Sequence, residues 1–186
     1  MNIVKDAYAI TREDFAALTK EGQRAIEEEL RQEWRTPVEL WTKLNAEFLF
    51  DIDVAASEHN TLCSMCLTKA ENALQYEWFS GRGARSAFCN PGFSEGEEWI
   101  RWAHRQTELV PGTVAVVIGL ASIGSEWFKF ASQNAAEIRL LNPRVQFAPA
   151  RPDIIKKSSN PNETAAYIFR GRRPSGPAHI TLQPWA

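Results

Sequence analysis

The sequence predicts an α/β fold, a mostly parallel central sheet with helices on both faces. Three observations carry that expectation. Strand-like and helix-like segments alternate along most of the chain. Residues 113–121 are continuously apolar, the pattern of a strand covered on both sides. Ala87, Phe88 and Cys89 end in the polar turn Asn90-Pro91-Gly92 and lead into a helical pattern. Open α/β sheets hold their ligands at strand tips of this kind. At 186 residues the chain suits one domain with a full core.

Taken in order, residues 1–11 read as an irregular lead-in. Thr11 opens a helix with Asp14 three positions on, and Phe15, Leu18, Ala25, Ile26 and Leu30 recur at helical intervals. Glu21, Arg24, Glu27, Glu28 and Arg31 form the other face, so one long amphipathic helix is expected to cover the domain, or to bind a partner. Thr36 as N-cap, Pro37 at the first helical position and Glu39 in a capping box predict a second helix over 37–47. Residues 48–56 alternate, which predicts a strand with Phe48, Phe50, Ile52 and Val54 on one face and Asp51, Asp53 and Ala55 on the other. Asp51 reads as a solvated or capping carboxylate, whereas Asp53 lies near the strand's C-terminal end.

Residues 55–67 are expected to hold a turn and the start of a helix. The loop over 80–86 carries Gly81 and Gly83 with Arg82 and Arg85, which suits phosphate contacts or simply a solvated turn. Ser94 and Glu97 form a capping box ahead of Trp99, Ile100 and Trp102, predicting a helix over 96–108. A short helix over 125–136 follows the apolar strand, and 138–141 with 145–147 read as a strand pair or one bent strand. Residues 148–163 are proline-rich and polar, with Lys156 and Lys157, and form a loop; 164–170 and 179–183 are strand-like.

Composition narrows the function classes. Hydrophobic residues make up 44% and charged residues 24%, with a net charge of −2, so the molecule is no polybasic nucleic-acid binder. Any DNA contact must come from a local patch and a specific pocket. Three cysteines are no disulfide framework, the first six residues are no signal peptide, and the longest apolar run is far short of a membrane span. A cytoplasmic protein without membrane contact is expected. His59, Cys63, Cys66 and Cys89 raise a zinc site, but one Cys-x-x-Cys is half of the usual pair of knuckles, and no metal is assigned. There is no Gly-x-Gly-x-x-Gly for a nicotinamide or flavin cofactor.

One pattern is more specific. Trp34-Arg35-Thr36-Pro37, Leu44-Asn45, Glu47-Phe48, residues 50–56, Asn60, Leu62-Cys63, Trp78 and Asn90-Pro91-Gly92-Phe93 occur in that order. Over about residues 34–170 this resembles the phage and prophage DNA N-6-adenine methyltransferases of Dam type. The resemblance implies a Rossmann-like methyltransferase domain over 34–186, with 1–33 as a helical extension. It also implies transfer of a methyl group from S-adenosylmethionine to the exocyclic amine of adenine in double-stranded DNA. Asn90, Pro91, Gly92 and Phe93 would be the catalytic tetrapeptide. Asp53, Val54, Ala55 and Ala56 would wall the adenosyl moiety, Trp34, Thr36 and Pro37 would close over its methionine end, and Asn72 would meet its adenine. Arg82, Arg85, Lys156 and Lys157 are the candidate DNA contacts. The chain departs from the family pattern at Gly92, where a second proline is usual, and at Asn72, where relatives tend to be acidic. A relative that binds without turnover, or an accessory protein with a plain turn at residues 90–92, are the alternatives.

Overall fold

In a computed structural model the described residues are 7–31, 34–57, 60–155, 161–171 and 176–186, without the side chains of Arg31 and Phe93. The helices are α1 (Arg12–Ala17), α2 (Lys20–Arg31), α3 (Val38–Phe48), α4 (Gly96–Leu109) and α5 (Glu126–Asn134). The strands are β1 (Ile52–Ala56), β2 (Met65–Thr68), β3 (Ser86–Cys89), β4 (Val114–Leu120), β5 (Glu137–Asn142), β6 (Thr164–Arg170) and β7 (His179–Pro184). They form one sheet in the order β2-β1-β3-β4-β6-β5-β7, in which β6 alone runs against its neighbours. The mostly parallel, Rossmann-like α/β architecture expected from the sequence is therefore present.

Alternation along the central strands divides the core. Ala115 and Val117 of β4 and Ala165, Tyr167 and Phe169 of β6 face α4 and α5. Val116, Ile118, Ala166 and Ile168 face the other way, toward Leu40, Leu44 and Phe48 of α3. Both faces are thus covered by helices, which is why these strands read as unbroken apolar runs. The end of α3 is pinned to the sheet by Glu47, whose carboxylate takes two hydrogen bonds of 2.6 and 2.7 Å from the buried Arg139 guanidinium. A third cluster joins Ile26 and Leu30 of α2 to Ala7, Ile10, Ala150 and Ile155, so α2 covers the 150–155 segment. Arg151 reinforces this by donating to the carbonyls of Tyr8 and Ile10.

Several expectations are corrected at element ends. The single N-terminal helix is two. Leu18 is extended, and Thr19 Oγ1 accepts from the Gly22 amide at 3.2 Å to start α2 afresh. Thr36 does not cap α3. Pro37 occupies the cap without a side-chain bond, and the buried Thr36 hydroxyl has no partner among the described residues. The strand over 48–56 begins only at Ile52. Phe48 ends α3, Leu49 turns left-handed at φ 48°, and Asn45 Oδ1 accepts from the Phe50 amide. That turn breaks the alternation, sending Phe48 and Phe50 to the α3 face and Ile52 and Val54 to the opposite one. Asp51 is the capping carboxylate of the expectation, accepting from the amides of Arg85 and Ser86.

The helix expected after residue 56 is absent from the described residues, and the segment instead contributes the edge strand β2. Ser94 and Glu97 form no capping box, because a 3-10 turn at Phe93–Glu95 precedes α4 and Glu95 takes the cap position. Residues 145–147 are not a strand. The chain there reaches only an isolated two-way bridge between Ala148 and Arg35, at 3.0 and 2.8 Å.

Candidate active site

The chain leaves β1 toward β2 on one side of the sheet and returns to β3 on the other, so the tips of β1 and β3 form a topological switch point. Open α/β sheets place ligand crevices there. A cleft of about 610 Å³ opens at this place, a size that takes a small-molecule ligand. Its floor is Val54, Ala55, Ala56 and Ser57 after β1, and Asn90, Pro91 and Gly92 after β3. One wall comes from β2 and the turn beyond it, including Thr68, Lys69 and Asn72. The other comes from the start of α4, with Glu95, Glu98 and Trp99, and Trp34 closes one end.

Asn90 is half-buried, and its amide nitrogen donates to the Trp34 carbonyl at 3.1 Å. An amide has one acceptor oxygen and two donor hydrogens. Spending the nitrogen on Trp34 leaves the Asn90 oxygen without a partner among the described residues, on a residue that lines the cleft. Trp34 is itself held, because Arg35 pairs with Ala148 on its far side. Gly92 has φ −57° and ψ 136°, the conformation a proline would impose. Gly92 thus holds a backbone conformation that a proline could also hold. Phe93 begins the next turn, and its side chain lies outside the described residues.

Behind the floor, Asp53 is 4% exposed and does not line the cleft. Burial pushes its carboxyl up to about 6, partly offset by hydrogen bonds from the amides of Leu62 and Ala55. Each of those bonds is 3.2 Å. Ser57 and Asn60 close the loop above it, the Ser57 amide donating to Asn60 Oδ1 at 2.7 Å. Across the cleft Asn72 is left-handed at φ 51°, a conformation asparagine tolerates better than most residues. Trp99 donates to Glu95 at 3.4 Å, and its ring lies 6.3 Å from buried Trp78.

The structure therefore gathers Trp34, Val54, Ala55, Ala56, Asn72, Asn90, Pro91 and Gly92 about one cleft. Thr36, Pro37 and Asp53 lie outside its lining. Arg85 sits where β3 begins, at the opposite end of the strand from Asn90, and Arg82 lines a separate shallow concavity beside Tyr76. Lys156 and Lys157, like His59, lie outside the described residues. Cys63 is half-buried, Cys66 exposed and Cys89 buried, and among the described residues no group of three or more potential ligands gathers for a metal. Burial first, then the nearby Asp53, hold the Cys89 thiol well above its ordinary range, so it stays protonated as a core side chain. Sequence reasoning missed Glu95, Glu98 and Trp99. Helical spacing marked Trp99 as core, and only the turn before α4 swings that helix's start over the cleft.

Comparison with known proteins places the chain in context. The family described as DNA N-6-adenine-methyltransferase (Dam) matches residues 23–181. A DNA N-6-adenine-methyltransferase of Haemophilus phage HP1 is 29% identical over 135 residues, covering 70% of this chain and 72% of the relative. One of Escherichia phage T1 is 30% identical over 117 residues, covering 59% of this chain and 44% of the relative. Among solved structures, a predicted O-methyltransferase of Agrobacterium tumefaciens matches with TM-score 0.34 and 16% identity, over 89% of this chain and 64% of the other.

Proposed function

Because the chain belongs to the DNA N-6-adenine-methyltransferase (Dam) family, we propose that it methylates the exocyclic amine of adenine in double-stranded DNA, with S-adenosylmethionine as donor and at specific sites. The observation that carries this reading is the anchoring of the Asn90 amide nitrogen on Trp34, which dedicates the Asn90 oxygen to accepting from a ligand in the cleft.

The cleft suits a nucleoside joined to an amino acid. Polar Asn60, Thr68 and Asn72 line it together with apolar Val54, Leu74 and Trp99. Val54 to Ala56 and Asn72 would hold the adenosyl part, and Trp34 the region nearest the transferred group. When bound, S-adenosylmethionine supplies an electrophilic methyl group on a cationic sulfur. The protein's own task is to make a poor nucleophile react. The adenine amine has its lone pair drawn into the ring, so acceptors for its two protons return density to nitrogen. Asn90 Oδ1 and the Pro91 carbonyl serve as those acceptors, and the proton released on bond formation passes to water. The two acceptors are fixed before substrate arrives, so the site stabilises the developing charge without rearranging. The target base must leave the duplex for its amine to reach Asn90 in the cleft, and Phe93 is the residue proposed to stack on it.

Arg82, Arg85, Lys156 and Lys157 remain the proposed phosphate contacts, and Thr36 and Pro37 support Trp34 rather than line the cleft. Residues 1–33 as an extension of a 34–186 catalytic domain, and a cytoplasmic location, belong to the same reading. The test is labelled methyl transfer to unmethylated duplex DNA by wild type and by Asn90→Ala. Incorporation into adenine that the substitution abolishes supports the assignment. Equal incorporation by both proteins would remove Asn90 from it, and cofactor binding without incorporation would favour a relative that binds without turnover.

A further inference from the structure

We propose that Asp53 is a positioning residue for this site: from behind the cleft floor its carboxylate ties the amides of Ala55 and Leu62 together and so sets the shape of the segment that receives the cofactor. The proposal rests on the methyltransferase reading and deepens it.

The geometry is specific. Oδ1 of Asp53 accepts from Ala55 and Oδ2 from Leu62, so each oxygen holds one end of the segment containing Ser57 and Asn60. Both of those residues line the cleft, and they are bonded to each other across the turn. Asp53 itself lies on β1, next to the edge strand, level with Cys66 of β2 and Phe88 of β3. A carboxylate buried to 4% exposure, with no cation against it among the described residues, is costly for a fold. An ionised carboxylate is also the one side chain of this size with two oxygens that only accept. Asparagine in the same place could hold one end of the loop and not both.

This makes the loop sensitive to protonation. A protonated Asp53 keeps one good acceptor, so one tether weakens while the sheet around it stays packed. Among the described residues the charged and titratable groups near it are Asp51, Cys63, Cys66 and Cys89. Asp51, two residues earlier, is occupied by the amides of Arg85 and Ser86. Cys63 and Cys66 flank it from the β2 side and Cys89 from β3. The Cys63 thiol is pushed up to about 12 by burial and then by Asp53, so it does not titrate where Asp53 does. His59 lies outside the described residues and is the group a control must address.

The experiment measures binding of S-adenosylmethionine and S-adenosylhomocysteine by calorimetry on wild type, Asp53→Asn and His59→Gln, from about pH 5 to about pH 7.5. Wild type is expected to lose about tenfold in affinity toward the acid end, the value of one charge-assisted hydrogen bond, with its midpoint near 6. His59→Gln should keep that profile. Asp53→Asn should be flat with pH, weaker than wild type at pH 7.5, and no less heat-stable there, which separates positioning from support of the fold. A flat wild-type profile, a profile abolished by His59→Gln, or unaltered binding by Asp53→Asn would each overturn the proposal. If Asp53→Asn does not fold, the wild-type and His59→Gln profiles decide it. Failure of this proposal alone leaves tight, pH-independent binding. No binding at any pH would remove the methyltransferase reading, and this proposal with it.

Discussion

The Asn90 side chain makes one hydrogen bond among the described residues, and that bond decides what the side chain can do. With its nitrogen on Trp34, loss of the free oxygen in Asn90→Ala should cost about 10²–10³-fold in methyl transfer while cofactor affinity changes little. Single-turnover kinetics beside calorimetry separates the two. Two residues along, Gly92 already holds a proline-like φ, and its amide donates no hydrogen bond among the described residues. Gly92→Pro should therefore raise stability by about 0.5–1 kcal/mol in denaturant titration and leave turnover at or above wild type. Asp53 has a stability signature of its own. Its folded-state carboxyl is raised to about 6, against an unfolded value near 4, so the fold binds the extra proton between those pH values. Stability from this group is greatest below about pH 4, falls as pH rises to about 6, and is lower by about 3 kcal/mol above that. Thermal melts of Asp53→Asn should lack that slope. The placement of Asn90, Pro91 and Gly92 at the tip of β3 was legible in the sequence, because an apolar strand ending in a polar turn is a local signal. The withdrawal of Asp53 behind the floor was not, since strand alternation gives a face and not the ligand's position. Thr36 misled for a related reason: a good capping residue next to Pro37 was displaced from the cap by its neighbour.

At the scale of elements, the identity of most strands and helices could be read, with β2 and residues 145–147 as the exceptions, and several of their ends could not. The apolar run of β4 and the capped start of α5 appear within one residue of their expected limits, because burial on both faces and the Ser125 cap are local signals. The N-terminal helix was misread because its apolar spacing continues across the break. The capping geometry of Thr19, which starts α2, looks like any mid-helix threonine in a one-dimensional reading. Thr19→Ala should cost about 1 kcal/mol by thermal or urea unfolding, the usual value of an N-cap. β2 was missed because a four-residue edge strand with an exposed cysteine carries little alternation, and only pairing with β1 makes it a strand. The misreading mattered for function. The β2 tip supplies part of one wall of the cleft, so Thr68 and Lys69 could not be named from the sequence.

For the whole molecule, the switch point between β1 and β3 explains why distant stretches of chain meet at one cleft, and the α/β alternation that creates it was readable from the start. The net charge of −2 gives no general attraction to DNA, so affinity has to come from a few local cations. Arg85 lies at the end of β3 opposite Asn90. Removing Arg82 and Arg85 together should therefore lower the salt dependence of duplex binding by less than the roughly one to two counterions that a pair of phosphate contacts releases. Binding titrations across a salt series give the slope. The most direct test of the account remains labelled methyl transfer from S-adenosylmethionine to unmethylated duplex DNA, with wild type and Asn90→Ala side by side. The account predicts label in adenine for wild type and its loss in the variant with cofactor binding intact. Wild-type protein that binds neither cofactor nor DNA, or an Asn90→Ala protein that methylates as well as wild type, would contradict it.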